Sequence, residues 1–125
     1  MLGDYPIDVV LLAPDLETSK DFYAKKVGLK IVDESPNAVT FTCGGASHLA
    51  VSKSTVGTKD DQTQAAFRVK DVRAEITELR RRGVKIEDYD MPGLKTVDGI
   101  ATTGPHQSAW FKDSEGNLIG LMQTG

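Results

Sequence analysis

With two histidines and one cysteine in 125 residues, few side chains of this chain can do chemistry. Cys43 would need a depressed pKa to act as a nucleophile, and no cationic residue is near it in sequence. At a strand end it reads better as a small core residue. His106 follows Gly104-Pro105, so it either lines a pocket or sits in a loop. No partner base or nucleophile is identifiable for it. Trp110 is the only tryptophan. It is either a core or interface anchor or a surface on which a ligand stacks. Tyr89, Met91, Pro92 and Leu94 crowd one loop with apolar side chains that no helix or strand requires. Such a loop covers a site, contacts a partner or packs over a sheet edge.

The elements that position these residues follow from periodicity. Ile7 to Ala13 is apolar apart from Asp8 and reads as a covered strand. Asp15 or Thr18 caps a helix whose buried face is Ser19, Phe22, Tyr23, Lys26 and Val27, and Gly28 closes it. Leu29 to Asp33, Ala38 to Cys43 and Ser47 to Ser52 read as three further strands, turned at Ser35-Pro36-Asn37 and Gly44-Gly45. The polar stretch 54–62 reads as a linker. Gln64 to Val69 is then a strand, and Asp71 caps a helix with Val72, Ile76 and Leu79 on its apolar face. Glu78 and Arg82 stand at the i, i+4 spacing of an ion pair. After Gly83, Val84 to Glu87 reads as a strand and Gly99 to Thr103 as a short extended piece. Pro105 to Lys112 and Leu118 to Gln123 form a hairpin around the turn formers of 113–117.

The two halves overlay. Val9 to Leu16 lies against Ala65 to Val72, 56 positions on, and Gly28-Leu29-Lys30-Ile31 against Gly83-Val84-Lys85-Ile86, 55 positions on. A βαβββ unit is thus written twice. One unit has a single helix to cover one sheet face, so it is expected to need its copy. The predicted architecture is α+β: two tandem βαβββ modules, about 5–53 and about 63–125, forming one curved eight-stranded sheet around a cleft within a single domain. A net charge of −3 offers no basic footprint, which argues against nucleic acid as a partner. The dense run Arg80-Arg81-Arg82 instead complements the C-terminal dipole of the second helix. One cysteine permits no intrachain disulfide. No apolar run approaches the roughly 18–20 residues that span a bilayer. No basic, apolar leader opens the chain. A soluble, cytoplasmic protein is expected.

The doubled unit, the helix start Asp15-Leu16-Glu17-Thr18-Ser19-Lys20-Asp21-Phe22-Tyr23 and the hairpin Phe111-Lys112-Asp113-Ser114-Glu115-Gly116-Asn117 resemble the vicinal oxygen chelate superfamily. That family includes glyoxalase I, extradiol dioxygenases, fosfomycin-resistance transferases and bleomycin-resistance proteins. By that resemblance, four side chains on the first and last strands of the two modules would hold a divalent ion. The matching positions here are Asp8, Ala50, Gln64 and Gly120. Ala50 and Gly120 carry no donor. Two ligands are too few where zinc takes four and hard cations about six. His48, two residues before Ala50, shares its strand face and could add a third donor, or it is a strand-end histidine near solvent. No metal and no other cofactor is expected.

The same positions mark what points into the family's cleft. Strand alternation extends Asp8 to Val10, Gln64 to Arg68, and Gly120 to Met122, with Trp110 and His106 sharing a face of the last hairpin. The predicted ligand-binding set is therefore Asp8, Val10, His48, Gln64, Arg68, Tyr89, Met91, Leu94, His106, Trp110, Gly120 and Met122. Small residues at 50 and 120 leave room for a bulky planar guest. What the resemblance implies is a metal-independent protein that sequesters a hydrophobic or aromatic antibiotic-like molecule, as the bleomycin-resistance branch does, without catalysis. The alternative is a lyase, isomerase or cofactor-independent oxygenase with Asp8 or His106 as general base. A third reading fills the cleft with the chain's own Met91–Leu94 loop. A homodimer is implied by the family.

Overall fold

A computed structural model describes residues 1–55, 57 and 62–124 of the chain. Residues 56 and 58–61 of the expected linker lie outside the described residues. The chain divides into two compact units, Met1–Asp60 with Ser114–Gly116, and Asp61–Asp113 with Asn117–Gly125.

The first unit carries β1 (Asp8–Ala13), α1 (Leu16–Asp21), β2 (Lys30–Ser35), β3 (Ala38–Thr42) and β4 (His48–Lys53). Its sheet runs β1-β4-β3-β2, with β1 and β4 parallel. Pro14 breaks β1, and Asp15 caps α1 by accepting from the Thr18 N–H at 3.1 Å. Hydrogen bonds from Thr18 hold the Asp15 carboxyl below its ordinary value. The helix continues as a π-helical segment, Phe22–Val27, and ends at Gly28 with φ 83°. The single face expected from Ser19 to Val27 narrows accordingly: Ser19, Phe22 and Tyr23 are buried, whereas Lys26 and Val27 are not. The wider π turn rotates later residues away from the face a 3.6-residue period assigns them. Leu11, Ala13, Val39, Phe41, Leu49 and Val51 fill the sheet's covered face. Tyr23 lies 5.9 Å from Phe41, ring centroid to ring centroid. Each large side chain buried here is worth about 1.5–3 kcal/mol over exposure.

The second unit repeats the plan. It has β5 (Thr63–Arg68), α2 (Val72–Arg81), a two-stranded ribbon of β6 (Asp90–Met91) and β7 (Leu94–Lys95), then β8 (Ala101–Thr103), β9 (His106–Lys112) and β10 (Leu118–Thr124). The main sheet is ordered β5-β10-β9-β8, with β5 and β10 parallel. This is the strand order of the first unit, so the βαβββ unit written twice in the sequence folds twice. Asp71 accepts from the Ala74 N–H at 3.1 Å and caps α2. Val72, Ile76 and Leu79 are buried on one helix face, as their spacing predicts. Glu78 pairs with both Arg81 and Arg82. Arg80, expected only to complement the helix end, also pairs with Asp98 at 3.2 Å.

One strand differs from expectation. Val84 to Glu87 does not run as a strand: Ile86 bridges Phe111, and the Glu87 N–H donates to the Trp110 carbonyl at 2.8 Å. The chain then leaves the edge of β9 and returns only at Ala101. In the first unit the same edge is occupied by β2, where pairing merely skips Val32 between Ile31 and Asp33. The second unit spends residues 88–100 as a strap at the corresponding break. No apolar alternation marks that excursion in advance.

A second irregularity sits in β5. Leu118 pairs with Thr63, but Ile119 pairs with Ala65, so Gln64 is the extra residue of a bulge. The β9–β10 turn is closed by the Asp113 N–H to the Asn117 carbonyl (2.9 Å) and the Asn117 N–H to Asp113 Oδ1 (2.8 Å), with Gly116 at φ 87°. No described helix is long and apolar enough to cross a membrane.

Candidate functional site

Strand alternation gives the second unit's sheet two faces. Ala109, Phe111, Ile119 and Leu121 are buried on the side of α2. On the other side Ala66, Gly120 and Trp110 stand in register across β5, β10 and β9, followed by Arg68, Met122 and Ser108. The strap crosses this second side. Tyr89 meets Trp110 edge to face, with ring centroids 5.7 Å apart and planes at 85°. Together Thr63, Tyr89, Met91, Leu94, Trp110 and Leu118 line an open recess of about 260 Å³. That lies just below the roughly 300–1,000 Å³ of drug-sized sites.

Gly120 forms the floor beside this recess. It is buried, yet a Cβ there would stand at 3.4 Å from each of Ala66 Cβ, Thr63 Cγ2 and Trp110 Nε1. The strand conformation does not demand glycine, because Gly120 has no positive φ. Its missing side chain keeps space open against the indole edge.

The strap is pinned internally. The buried Thr96 donates from Oγ1 to Asp88 Oδ1 at 3.0 Å and accepts the Tyr89 N–H at 2.9 Å. Its own N–H donates to the Tyr89 carbonyl at 2.8 Å, and the Gly99 N–H also reaches Asp88 Oδ1 at 3.0 Å. At the far end Asp98, at φ 53°, pairs with Arg80 and, at 3.7 Å, with Arg73. A Cβ on Gly99 would stand 2.7 Å from Ile86 Cγ2, so only glycine lets the strap approach there. Tyr89 is thus presented to Trp110 from a fixed backbone.

The first unit places Asp8, Val10 and Leu12 on the uncovered face of its sheet, opposite His48, Ala50 and Ser52. His48 Nδ1 lies 3.2 Å from Asp8 Oδ1, directly across the β1–β4 register. Val10 is 59% exposed.

The twelve predicted residues fall into groups within each unit. Tyr89, Met91, Leu94 and Trp110 come together around one recess, with Gly120 beside it. Asp8, Val10 and His48 share a face of the first unit. Arg68 and Met122 lie further along β5 and β10, and His106 begins β9 as an exposed residue opposite Thr103. Gln64 does not line the recess: its amide donates locally to the Gln62 carbonyl at 3.2 Å, and the bulge sets Thr63 against Gly120 instead. Thr63, Thr96 and Asp88 escaped the sequence reading. A bulge leaves no compositional mark, but Asp88 and Thr96 bracketing an apolar loop were a usable signal.

A divalent ion of the kind the family holds is not matched by this donor set. Ala50 and Gly120 offer no side-chain ligand, and Gly120 sits among Ala66, a threonine methyl and an indole edge. Among the described residues no three of His, Cys, Asp and Glu gather. Asp8 and His48 are a pair, short of the four ligands of a closed zinc site. Cys43, expected in the core, is only half-buried at the end of β3, and partial burial still pushes its thiol upward, away from a reactive thiolate.

A model of the glyoxalase/bleomycin resistance protein/dioxygenase superfamily matches residues 7–121. Similar solved structures include TnmS3, an antibiotic binding protein from Streptomyces sp. CB03234, at 25% identity and a TM-score of 0.72 over 95% of this chain and 96% of that one. A glyoxalase/bleomycin resistance protein/dioxygenase from Alicyclobacillus acidocaldarius is 17% identical with a TM-score of 0.73, over 97% and 92% of the two chains. Lactoylglutathione lyase from Agrobacterium tumefaciens is 20% identical with a TM-score of 0.68, over 94% and 91%. The latter two likenesses speak to the fold. No curated protein matches the chain.

Proposed function

The chain belongs to the glyoxalase/bleomycin resistance protein/dioxygenase superfamily, and we propose that within it this protein binds a hydrophobic or aromatic antibiotic-like molecule without a metal and without turnover. One observation carries the reading: Tyr89 and Trp110 form a rigid aromatic corner over the space beside Gly120, walled by Met91, Leu94 and Leu118. A mostly apolar recess with a few polar groups is the ordinary form of a small-molecule site. Aromatic faces give a planar guest large contact at little conformational cost. The likeness to TnmS3, whose name describes an antibiotic binding protein, supports the same reading. Arg68, His106 and Met122, on the strands of the same unit, belong to the proposal as residues that orient the guest. A cytoplasmic homodimer completes it.

A second reading, general-base catalysis, is favoured by the pairing of Asp8 with His48. A carboxylate on one ring nitrogen fixes the tautomer and leaves the other nitrogen to take a proton.

Because Trp110 is the only tryptophan, its emission reports on the recess. Titration with a panel of aromatic antibiotics is expected to give saturable quenching by at least one compound, weakened in Tyr89→Ala. No saturable quenching by any of them overturns the binding reading. An Asp8-dependent change in the mass or the isomeric form of a bound compound establishes the second.

A further inference from the structure

We infer that the guest of this recess carries a neutral hydrogen-bond acceptor, a carbonyl on the edge of a flat ring, which enters the space over Gly120 and accepts from Trp110 Nε1. The inference rests on the binding reading and deepens it.

Trp110 and Gly120 face each other directly across β9 and β10. The indole nitrogen lies 3.4 Å from the point where a Cβ at 120 would stand. A Cβ there would lie in ordinary contact with the N–H edge and fill the space in front of it, so the glycine keeps that edge approachable. Among the described residues no group accepts a hydrogen bond from Nε1, although the Trp110 carbonyl is engaged by the Glu87 N–H. An indole nitrogen is a donor only, and Trp110 is half-buried, which leaves its N–H within reach of solvent in the free protein. A guest that fills the space and displaces that water must bring an acceptor of its own.

The lining decides its chemistry. Thr63, Tyr89, Met91, Leu94, Trp110 and Leu118 include no cation. A carboxylate or phosphate would lose its hydration here without a compensating charge. An amine or ammonium offers the indole N–H nothing to bond. A ketone or quinone-type carbonyl remains: neutral, flat with its ring, and able to place an oxygen within about 2.7–3.2 Å of the donor. The ring bearing it would lie against the Tyr89–Trp110 corner.

Two probes of one shape test this. Fluorene-2-carboxylate and 9-fluorenone-2-carboxylate differ in a methylene against a carbonyl, and both keep their carboxylate for the solvent end. Calorimetric titration is expected to show fluorenone binding about three- to tenfold more tightly, the worth of one net neutral hydrogen bond. The preference should vanish in Trp110→3-benzothienylalanine, which keeps the bicyclic shape and exchanges the N–H for sulfur. It should also vanish in Gly120→Ala, which occupies the space. Equal affinity of the two probes for the unaltered protein overturns this inference and leaves the binding reading standing. So does a preference that survives in the benzothienyl variant. Binding of neither probe overturns both.

Discussion

At the scale of single residues, Gly120 carries most of the account. Gly120→Ala places a methyl at 3.4 Å from three neighbours, an ordinary contact the fold should tolerate. Gly120→Glu must send its longer arm into a recess of about 260 Å³ that offers no cation. Ligand affinity is expected to fall at least about tenfold, and thermal stability with it, because a carboxylate is desolvated without compensation. It should not create a metal site, since Ala50 still supplies no donor. Calorimetry with ligand, and with zinc alone, checks both. Unchanged ligand affinity in a folded Gly120→Glu protein would remove Gly120 from the site. Much of this scale was readable beforehand. Trp110 and Gly120 were placed on one face by counting in twos, which holds while strands are regular. Counting failed at Gln64 because one bulge residue shifts everything before it, bringing Thr63 to the recess.

At the scale of elements, the strap decides how well Tyr89 is held. Thr96→Val keeps the volume but removes the hydroxyl that joins Asp88 to the Tyr89 N–H. Losing those hydrogen bonds is expected to cost about 1–3 kcal/mol in stability, with a red shift of Trp110 emission as Tyr89 loosens. Thr96→Ser should restore most of both. A Thr96→Val protein with unchanged melting temperature and spectrum would show that the strap needs no such pin. The α2 terminus gives a pH test. Hydrogen bonds from the Arg81 and then the Arg82 guanidinium lower the Glu78 carboxyl to about 2. A folded-state value below the unfolded one, about 4.3, adds stability above the unfolded value, lost as pH falls through about 2. The groups are exposed, so the contribution is small and salt-sensitive. Carbon-detected NMR of the Glu78 carboxyl should give a midpoint near 2 that rises in Arg81→Ala; a midpoint in the ordinary glutamate range would contradict the pairing. Both helix caps, Asp15 and Asp71, and the Glu78–Arg82 pair were legible because they depend on local spacing. The strap was legible only as an apolar loop. Its course is set by Asp88, Thr96 and Gly99 meeting at a distance in sequence, and by a glycine whose necessity appears only beside Ile86.

At the scale of the molecule, the repeat was the strongest signal in the chain. Gly28 and Gly83 end equivalent helices, and each unit closes its sheet in the same strand order with its first and last strands parallel. Periodicity found this because both copies obey the same rule: one buried face per helix and alternate burial along each strand. It was blind where the copies diverge, at the edge of β9 where the second unit inserts its strap. That divergence is also where the candidate site lies. The repeat builds the scaffold, and the departure from it supplies the aromatic corner. The central claim is that this departure makes a binding site that needs no metal and alters nothing it binds. It is tested most directly by titrating chelator-treated protein with the aromatic antibiotic panel, following Trp110 emission, and weighing the recovered compound by mass spectrometry. The account predicts saturable quenching by at least one compound, recovered at unchanged mass. Quenching that appears only after a divalent metal is added back, or a compound recovered with altered mass or shifted in chromatographic retention as a different isomer, would contradict it.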